Sequence, residues 1–274
     1  MDRGMIRWLL TTLAVVAMPV QARDLRVMSF NVRYPNPDDG PNRWEARAPI
    51  LIDTIRAADP DVVGTQELYR RQGDAIVRAL SHWRWFGRDR RGAHADEHMG
   101  ILYRTDRLRL VRHGDFWLSD TPDRVGSASW GTDLPRMVNW GEFVRKDGRR
   151  FVLFDTHFPH RDSDAIARTK AAGVLLARMR RIAGRLPVVV TGDLNAQPDS
   201  EAYRAFAATL ADAWARAPQR SGPVLTFHDF TGTPDRRIDY VFVLGFRPVA
   251  ARVATDHRGP RYPSDHFPMV VDLR

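Results

Sequence analysis

The 274-residue sequence contains no cysteine. That absence excludes disulfide scaffolds, thiolate zinc sites and cysteine nucleophiles, so packing alone must hold the fold together. The sequence also lacks a G-x-S-x-G nucleophile elbow and a Walker phosphate loop, which argues against serine hydrolases and nucleoside triphosphatases. No repeat, low-complexity block or long Pro/Gly linker divides the chain. We therefore expect one sizeable domain without covalent cross-links.

An apolar stretch near the N-terminus runs from Trp8 to Met18 and follows two arginines. Its eleven positions are too few to span a bilayer, which needs about 20 residues. The small residues that end at Ala22 are typical of a cleavage site. We predict a signal peptide over residues 1–22 and a mature domain over residues 23–274, exported to the periplasm or secreted. An uncleaved anchor is the alternative, and we expect no stable membrane anchoring after cleavage.

The chain is basic, with a formal net charge of +9 that cleavage after Ala22 would lower to +8. A basic surface attracts polyanions such as nucleic acids or anionic membranes, although arginines can also serve solubility alone. Hydrophobic residues make up 43% of the chain and charged residues 27%, which is typical of a folded domain with a large core. We expect a monomer whose partner is its substrate.

Short apolar and β-branched runs alternate with turn signals along the mature chain and predict many strands. Asp147 and Gly148 are typical of a hairpin turn between two of them. Apolar residues at helical spacing predict a helix over 47–59, with Pro49 near its first turn, and another that Gly184 terminates. Many strands with few helices predict packed sheets flanked by helices, an α+β or α/β sandwich.

Polar residues follow or precede these predicted strands at their ends. Asp193 and Asn195, for example, come directly after the buried run "VVVTG". Each of them alone is more often a turn former than a catalytic group. Their shared placement predicts a site on rigid elements at one rim of a sheet. The residues at strand ends are Asn31, Glu67, His157, Asp193, Asn195, Asp239, Asp265 and His266.

Six segments resemble, in the same order, the motifs of the endonuclease/exonuclease/phosphatase superfamily. They are "SFNVRY", "DVVGTQE", "DTHFPH", "TGDLNAQP", "RRIDYVFV" and "YPSDHFP", and they cover nearly all of the mature chain. Three more segments, "NPDDGPNRWEAR", "FWLSDTP" and "LPRMVNW", are similar to an exported bacterial subgroup. The resemblance implies a DNase I-like, four-layered α/β/β/α sandwich of two mainly antiparallel sheets, with a metal site at one sheet edge.

A phosphoester repels hydroxide, so its hydrolysis needs a cation on the phosphoryl oxygens and an oriented water. Oxygen ligands without cysteine favour Mg²⁺ or Mn²⁺ over zinc. The resemblance implies that Glu67 binds the metal with Asn31 beside it, and we add Asp265 to the metal ligands. It also implies that Asp193 orients the water and Asn195 contacts the phosphate.

The resemblance gives catalytic roles to the histidines as well. We expect His266 to be held by Asp265, in a pair that fixes the tautomer and stabilises the charged imidazole. His157 and Arg136 would bind phosphoryl oxygens, His157 could also act as an acid, and Asp239 would orient His157. Whether His266 acts as base or as phosphate stabiliser stays open.

Four other features receive weaker interpretations. Glu97 and His160 are candidates for lining the pocket. The segment "HADEH" that contains Glu97 is interpreted as a loop and not as an independent metal site, because glycines flank it. A second Asp-His pair, Asp256 and His257, is interpreted as surface because no apolar strand follows it directly.

We therefore predict an exported phosphodiesterase that acts by metal-assisted attack of an oriented water, with a nuclease among the options. The first alternative is a phosphatase or phosphodiesterase acting on a small phosphorylated molecule or lipid head group. The second is a non-catalytic binding protein on a nuclease scaffold, which would be expected to have lost catalytic groups. The sequence does not choose the substrate, because one fold and metal site serve many phosphoesters.

Overall fold

The computed structural model describes Met1 and residues 24–274. The predicted signal peptide and its cleavage site therefore lie outside the described residues, apart from Met1. Within the described part of the chain, no helix has both the length and the apolar character that crossing a membrane requires.

Two β-sheets form the centre of the molecule, and neighbouring strands in them are antiparallel except in three pairs. This confirms the predicted mainly antiparallel arrangement. The first sheet has the order β10 (Gln219–Ser221), β12 (Pro248–Val253), β13 (Met269–Leu273), β1 (Leu25–Asn31), β2 (Val62–Gln66), β4 (Ile101–Arg104) and β3 (Trp83–Phe86). The second has the order β5 (Leu108–Trp117), β6 (Met137–Arg145), β7 (Arg150–His157), β8 (Val188–Asp193), β11 (Asp239–Leu244) and β9 (Ala211–Asp212).

Helices cover the outer faces of both sheets. The first sheet packs against α1 (Trp44–Ala58) and α2 (Arg70–Ala79), and the second against α3 (Ala165–Ala183) and α4 (Glu201–Ala207). The short α5 (Ala213–Arg216) contacts β11 and β12. The inner faces of the two sheets share one apolar core. The predicted four-layered α/β/β/α sandwich is confirmed.

Both predicted helices are present, with one correction. Gly184 follows the last residue of α3 with a left-handed φ of 58°, and its N–H bonds to the carbonyl of Arg180, as expected for a helix end. In α1, Pro49 lies in the second turn and not the first, because the helix already begins at Trp44. Proline has no N–H, so the carbonyl of Glu45 lacks its usual bond within the helix.

The alternation of side chains along the strands places the polar strand ends between the two sheets. Val27 faces the shared core, so Asn31, four residues later on β1, points the same way. By the same two-residue period, His157, Asp193 and Asp239 lie on the inward faces of β7, β8 and β11. The core thus continues into a polar layer at one rim.

Candidate active site

Strand register sets three of the predicted site residues side by side. His157 of β7 is paired with Asp193 of the parallel strand β8, and Asp193 is paired with Asp239 of the antiparallel strand β11. β1 and β2 end at this rim with Asn31 and Gln66, and the segment before β13 enters from it. The fold therefore brings residues from distant parts of the chain to one edge of the sandwich.

A cavity of about 540 Å³ opens at this rim. Asn31 and Asp239 do not line the cavity but are buried beneath the residues that do, with exposed fractions of 0% and 1%. The predicted residues that line it are Glu67, Glu97, Arg136, His157, His160, Asp193, Asn195, Asp265 and His266. The structure thus brings every residue of the predicted site into or against one cavity.

The partner of His266 differs from the one we expected. Its Nδ1 lies 2.9 Å from Oδ2 of Asp239, so Asp239 orients His266 and not His157. Asp265 instead accepts a bond from the hydroxyl of Ser264 at 3.1 Å and faces Arg33 at 3.5 Å. Asp265 lies in a bend before β13, and its carboxylate makes no hydrogen bond to the ring of His266 within the described residues.

The Asp239–His266 pair keeps His266 charged although it is buried. Burial lowers the pKa of His266, but the adjacent Asp239 carboxylate more than offsets this and raises the pKa to about 10. Nδ1–H therefore donates to Asp239, and the Nε2 side points toward Asp193, whose Oδ2 is 3.9 Å away. The site contains an imidazolium that can stabilise negative charge on a phosphoryl group.

Asp193 stands between the two histidines with a shifted pKa. Burial, and then the neighbouring Asp239, raise the pKa of Asp193 to about 7. Its Oδ1 accepts the N–H of Asn195 at 2.9 Å, and its Oδ2 accepts the amide of Asn31 at 3.1 Å. A carboxylate whose pKa is near neutrality is suited to taking a proton from water.

His157 is shifted in the opposite direction to His266. Burial, and then the nearby Arg136, hold the pKa of His157 well below its usual range, so the ring is neutral. Its Nε2 lies 3.5 Å from Asp193, while its buried Nδ1 has no hydrogen-bond partner among residues 24–274 and lies 4.0 Å from Glu97. The neutral ring of His157 and the charged ring of His266 thus flank the carboxylate of Asp193. Because the two rings differ in charge, they can take different chemical roles.

Three cavity-lining residues, Arg33, Glu67 and Asn195, adopt left-handed backbone, which is uncommon outside glycine. Glu67 has a φ of 60° and Asn195 a φ of 46°. Such conformations cost about 1–3 kcal/mol each and persist where the surroundings hold them. Glu67 directly follows the end of β2, and Arg33 and Asn195 lie two residues beyond the ends of β1 and β8. The turned backbone is what directs these side chains into the site.

Carboxylate oxygens that could hold a metal lie at the Glu67 side of the cavity. Glu67 accepts the Asn31 amide through Oε1 and the N–H of Tyr34 through Oε2, both at 3.0 Å. Burial, and then Glu67, raise the pKa of Asp265 against the opposing effect of His266. A bound cation would relieve the repulsion between these two carboxylates, and carboxylate oxygens are ligands that suit Mg²⁺ or Mn²⁺. The Asn31 oxygen accepts the N–H of Arg33 at 3.0 Å, so Asn31 holds Glu67 through its amide nitrogen.

A second group could hold a metal by geometry alone. Asp193, Asp239 and His266 each offer a ligand atom, and these atoms lie within 4.8 Å of one another. In this group, however, Nδ1 of His266 is engaged by Asp239 at 2.9 Å, and its Nε2 lies 3.9 Å from Asp193. We therefore interpret this group as the acid–base part of the site and Glu67 with Asp265 as its metal part.

The cavity also contains residues that the sequence reasoning missed. Arg90 is buried and donates to Glu97 and Asp96, both at 2.9 Å. Arg236 lies over the ring of Phe227 at 4.2 Å, and that ring meets His266 edge-on. Arg33, next to the "SFN" motif, could have been suspected from its position. Arg90 stands in an irregular segment between turn residues, where no periodic pattern marks it.

The structure also places the features that received weaker interpretations. The "HADEH" segment is a loop, and in the part of the chain that the structure describes its side chains belong to no metal-ligating cluster. Instead the buried Asp89 accepts four backbone N–H groups of this loop, from Arg91, Ala93, Ala95 and Asp96. Asp256 and His257 are exposed, as predicted.

Comparison with known proteins identifies relatives of this chain. Residues 28–266 match the model of the endonuclease/exonuclease/phosphatase family. A family member from Bacteroides thetaiotaomicron of known structure is 36% identical, covers 91% of this chain and 97% of its own, and has a TM-score of 0.86. A mannosyl-6-phosphatase from the same organism is 35% identical, covers 91% of this chain and 99% of its own, and also has a TM-score of 0.86. Human nocturnin is 22% identical over 91% of this chain, which spans 65% of nocturnin's length.

Proposed function

Because the chain belongs to the endonuclease/exonuclease/phosphatase family, we propose that it is a metal-dependent phosphoesterase that removes phosphate from a small molecule. The observation that carries this proposal is the convergence of Arg33, Arg90, Arg136 and Arg236 on the cavity that also holds Asp193 and His266. A terminal phosphate carries up to two negative charges, whereas a phosphodiester carries one. Four guanidinium groups around one site favour the more highly charged group.

Two further observations favour a small substrate over a nucleic acid. The cavity volume of about 540 Å³ lies in the range of about 300–1,000 Å³ that is usual for small-molecule sites. The mannosyl-6-phosphatase is 35% identical over nearly the whole chain. We therefore consider a phosphorylated sugar a better substrate candidate than DNA or RNA. It is also a better candidate than the phosphodiester that the sequence predicts.

The side chains divide the reaction among themselves. Asp193 accepts a proton from the attacking water, which its pKa near neutrality permits. The charged His266, held by Asp239, donates a hydrogen bond to a phosphoryl oxygen, as does the amide of Asn195. Arg136 and the neutral His157 bind the remaining phosphoryl oxygens. A Mg²⁺ or Mn²⁺ ion held by Glu67 and Asp265 would neutralise charge on the phosphate and polarise it.

The proposal is tested by a substrate screen on the purified protein with Mg²⁺ or Mn²⁺. The panel contains mannose 6-phosphate, methyl phosphate, bis-p-nitrophenyl phosphate, DNA and RNA. We expect monoesters to be hydrolysed with a higher kcat/KM than the diester, and EDTA to abolish turnover until metal is restored. Full activity in excess EDTA would contradict the metal assignment, and faster hydrolysis of DNA or RNA would replace the phosphatase by a nuclease.

The variant Asp193→Asn separates an enzyme from a binding protein on the same scaffold. We expect it to lower kcat by at least about a hundredfold, the usual scale for losing a catalytic base. A protein that binds phosphoesters without turnover would show the same null activity in wild type and variant. Thermal melting of both proteins checks that the variant remains folded.

We also propose that the protein acts outside the cytoplasm, on the pattern of residues 1–22. Mass spectrometry of the protein recovered from a periplasmic or secreted fraction tests this. We expect an N-terminus at Arg23, and a cytoplasmic protein that retains residues 1–22 would contradict it.

A further inference from the structure

A hydrogen-bonded group is buried beneath the active-site cavity, between the two sheets. Asp155 of β7 accepts the amide of Gln66 from β2 and the hydroxyl of Thr191 from β8, both through Oδ1 and both at 2.7 Å. All three residues are 0% exposed. The bond between Gln66 and Asp155 therefore joins the first sheet to the second inside the protein. We call these three residues the Asp155 bridge.

The Asp155 bridge lies next to the site residues along the strands. Side chains two residues apart on a strand share a face, so Asp155 lies below His157 on β7. Gln66 is the last residue of β2 and directly precedes Glu67. The bridge thus connects the strand that ends before the expected metal ligand to the strand that carries a phosphate-binding histidine.

The backbone of Glu67 decides whether its carboxylate reaches the cavity. Val63, four residues earlier on β2, packs in the outer core beneath α1 and α2, and a regular strand would direct Glu67 to that side as well. Instead, Glu67 has a left-handed φ of 60° and lines the cavity. Such a backbone persists where the surrounding structure holds it. Gln66 is the adjacent residue, and its side chain is fixed to the other sheet.

The end of β2 is packed closely against the Asp155 bridge. A Cβ on Gly64 would lie 2.0 Å from Oγ1 of Thr191 and 2.4 Å from Oδ1 of Asp155. Glycine, which has no Cβ, is what allows the backbone of β2 to approach these side chains. The close approach and the bond to Gln66 together leave this end of β2 little freedom to move relative to β7.

The unpaired atoms of the Asp155 bridge indicate that it acts without charge. Oδ2 of Asp155 and Oε1 of Gln66 are buried and have no hydrogen-bond partner among residues 24–274. An ionised carboxylate with one oxygen unpaired in the interior would be costly. Burial raises the pKa of Asp155 well above its usual range, although the bonds from Thr191 and Gln66 oppose this effect. The bridge therefore holds β2 through hydrogen bonding and shape.

We propose that Asp155 is a positioning residue for the metal part of the site. Through its bond to Gln66 it fixes the end of β2, and with it the turned backbone that directs Glu67 into the cavity. Groups that orient a metal ligand from behind change metal affinity by about 10- to 100-fold when they are lost. This inference rests on the metal assignment of the proposed function and adds to it the residues that hold the ligand in place.

Binding of Mn²⁺ to the purified protein, measured by calorimetry without substrate, tests the proposal. Asp155→Ala removes the acceptor, and Gln66→Met removes the amide while keeping the length of the side chain. We expect each variant to bind Mn²⁺ about 10- to 100-fold more weakly than the wild type. Asp155→Asn keeps an uncharged acceptor of the same size, and we expect it to bind Mn²⁺ nearly as tightly as the wild type.

A control variant distinguishes positioning from a general loss of stability. Thr54→Val removes a buried hydroxyl that bonds to the carbonyl of Ile50 within α1. We expect it to lower the melting temperature without changing the affinity for Mn²⁺. Thermal melting of every variant checks that it is folded, and Gln66→Met decides the question if Asp155→Ala does not fold.

Two results would overturn the proposal. Equal weakening of Mn²⁺ binding by Asp155→Asn and Asp155→Ala would mean that Asp155 acts through its charge and not through the bond to Gln66. Unchanged affinity in Gln66→Met would mean that this bond does not hold Glu67.

The same measurement separates this inference from the proposed function. If the wild type bound no Mn²⁺, the metal assignment and this inference would fail together. If the wild type and Gln66→Met bound Mn²⁺ equally well, only this inference would fail, and the metal-dependent phosphoesterase would still stand or fall by the substrate screen.

Discussion

Replacing Asp239 and Asp265 separately by asparagine tests which carboxylate supports His266. Sequence adjacency suggests Asp265, but the structure shows a 2.9 Å bond from His266 Nδ1 to Asp239. Asn at either position keeps the size of the side chain and removes only its charge. The two variants therefore make the same chemical change at two positions. Asp239→Asn weakens the support of His266, whereas Asp265→Asn removes an expected metal ligand.

The magnitude for Asp239→Asn follows from the bond that it weakens. A hydrogen bond to a charged group contributes about 1.5–3 kcal/mol, and each 1.36 kcal/mol is a factor of ten in rate. We therefore expect kcat at saturating metal to fall by about 10- to 150-fold. For Asp265→Asn we expect a higher metal concentration for half-maximal activity, with kcat largely recovered at saturating metal, because it removes a metal ligand.

The assay is steady-state release of phosphate from the best monoester over a titration of Mg²⁺. Thermal melting of both variants checks that neither loss reflects unfolding. If Asp239→Asn kept kcat within about twofold while Asp265→Asn lost it even at saturating metal, Asp265 would be the functional partner of His266. The interpretation of the site as an acid–base part and a metal part would then be wrong.

Three further predictions use other parts of the molecule. His257→Ala should keep kcat within a few-fold while His266→Ala loses at least about a hundredfold, because only His266 lies in the cavity; a large loss at His257 alone would contradict the assignment. Burial, and then nearby His266, lower the pKa of His228 to about 4. The imidazole of His228 therefore takes up a proton more readily in the unfolded chain than in the folded one. As a result, the free energy of unfolding falls as the pH drops from about 6.5 towards 4. Urea unfolding gives the free energy of unfolding at pH 7.5 and at pH 5.0. Between these two pH values we expect the wild type to lose about 2 kcal/mol more of this free energy than His228→Phe does. Equal losses would refute the prediction. A Cβ on Gly64 would lie 2.0 Å from a side-chain oxygen of the other sheet, whereas one on the helical Gly173 meets nothing within 4 Å. Gly64→Ala should therefore lower the free energy of unfolding by about 1–3 kcal/mol or more. Gly173→Ala should raise it by about 0.5–1 kcal/mol. Similar effects of both substitutions in urea unfolding would show that the two sheets can move apart at little cost.

The elements that sequence reasoning found are those with strong local patterns. β8, with Val188 to Val190, and the hairpin around Asp147 and Gly148 are recognisable from β-branched runs and turn chemistry. The missed elements contain few large apolar residues: β12 reads "PVAARV", and α2 reads "RRQGDAIVRA". Their structure depends on neighbours in the sheets, which no local window contains.

The sequence by itself determined the family, the sandwich and the residues that gather at the site. It did so because strand ends and motif order are local properties of the chain. Only the tertiary structure decided how those residues pair. Asp239 meets His266 across 27 positions of sequence, in place of the adjacent Asp265, because strand register and side-chain direction select partners. The same holds for Arg90, which a loop centred on Asp89 places in the cavity. Contacts between distant segments depend on how the layers pack, and that packing is a property of the whole fold.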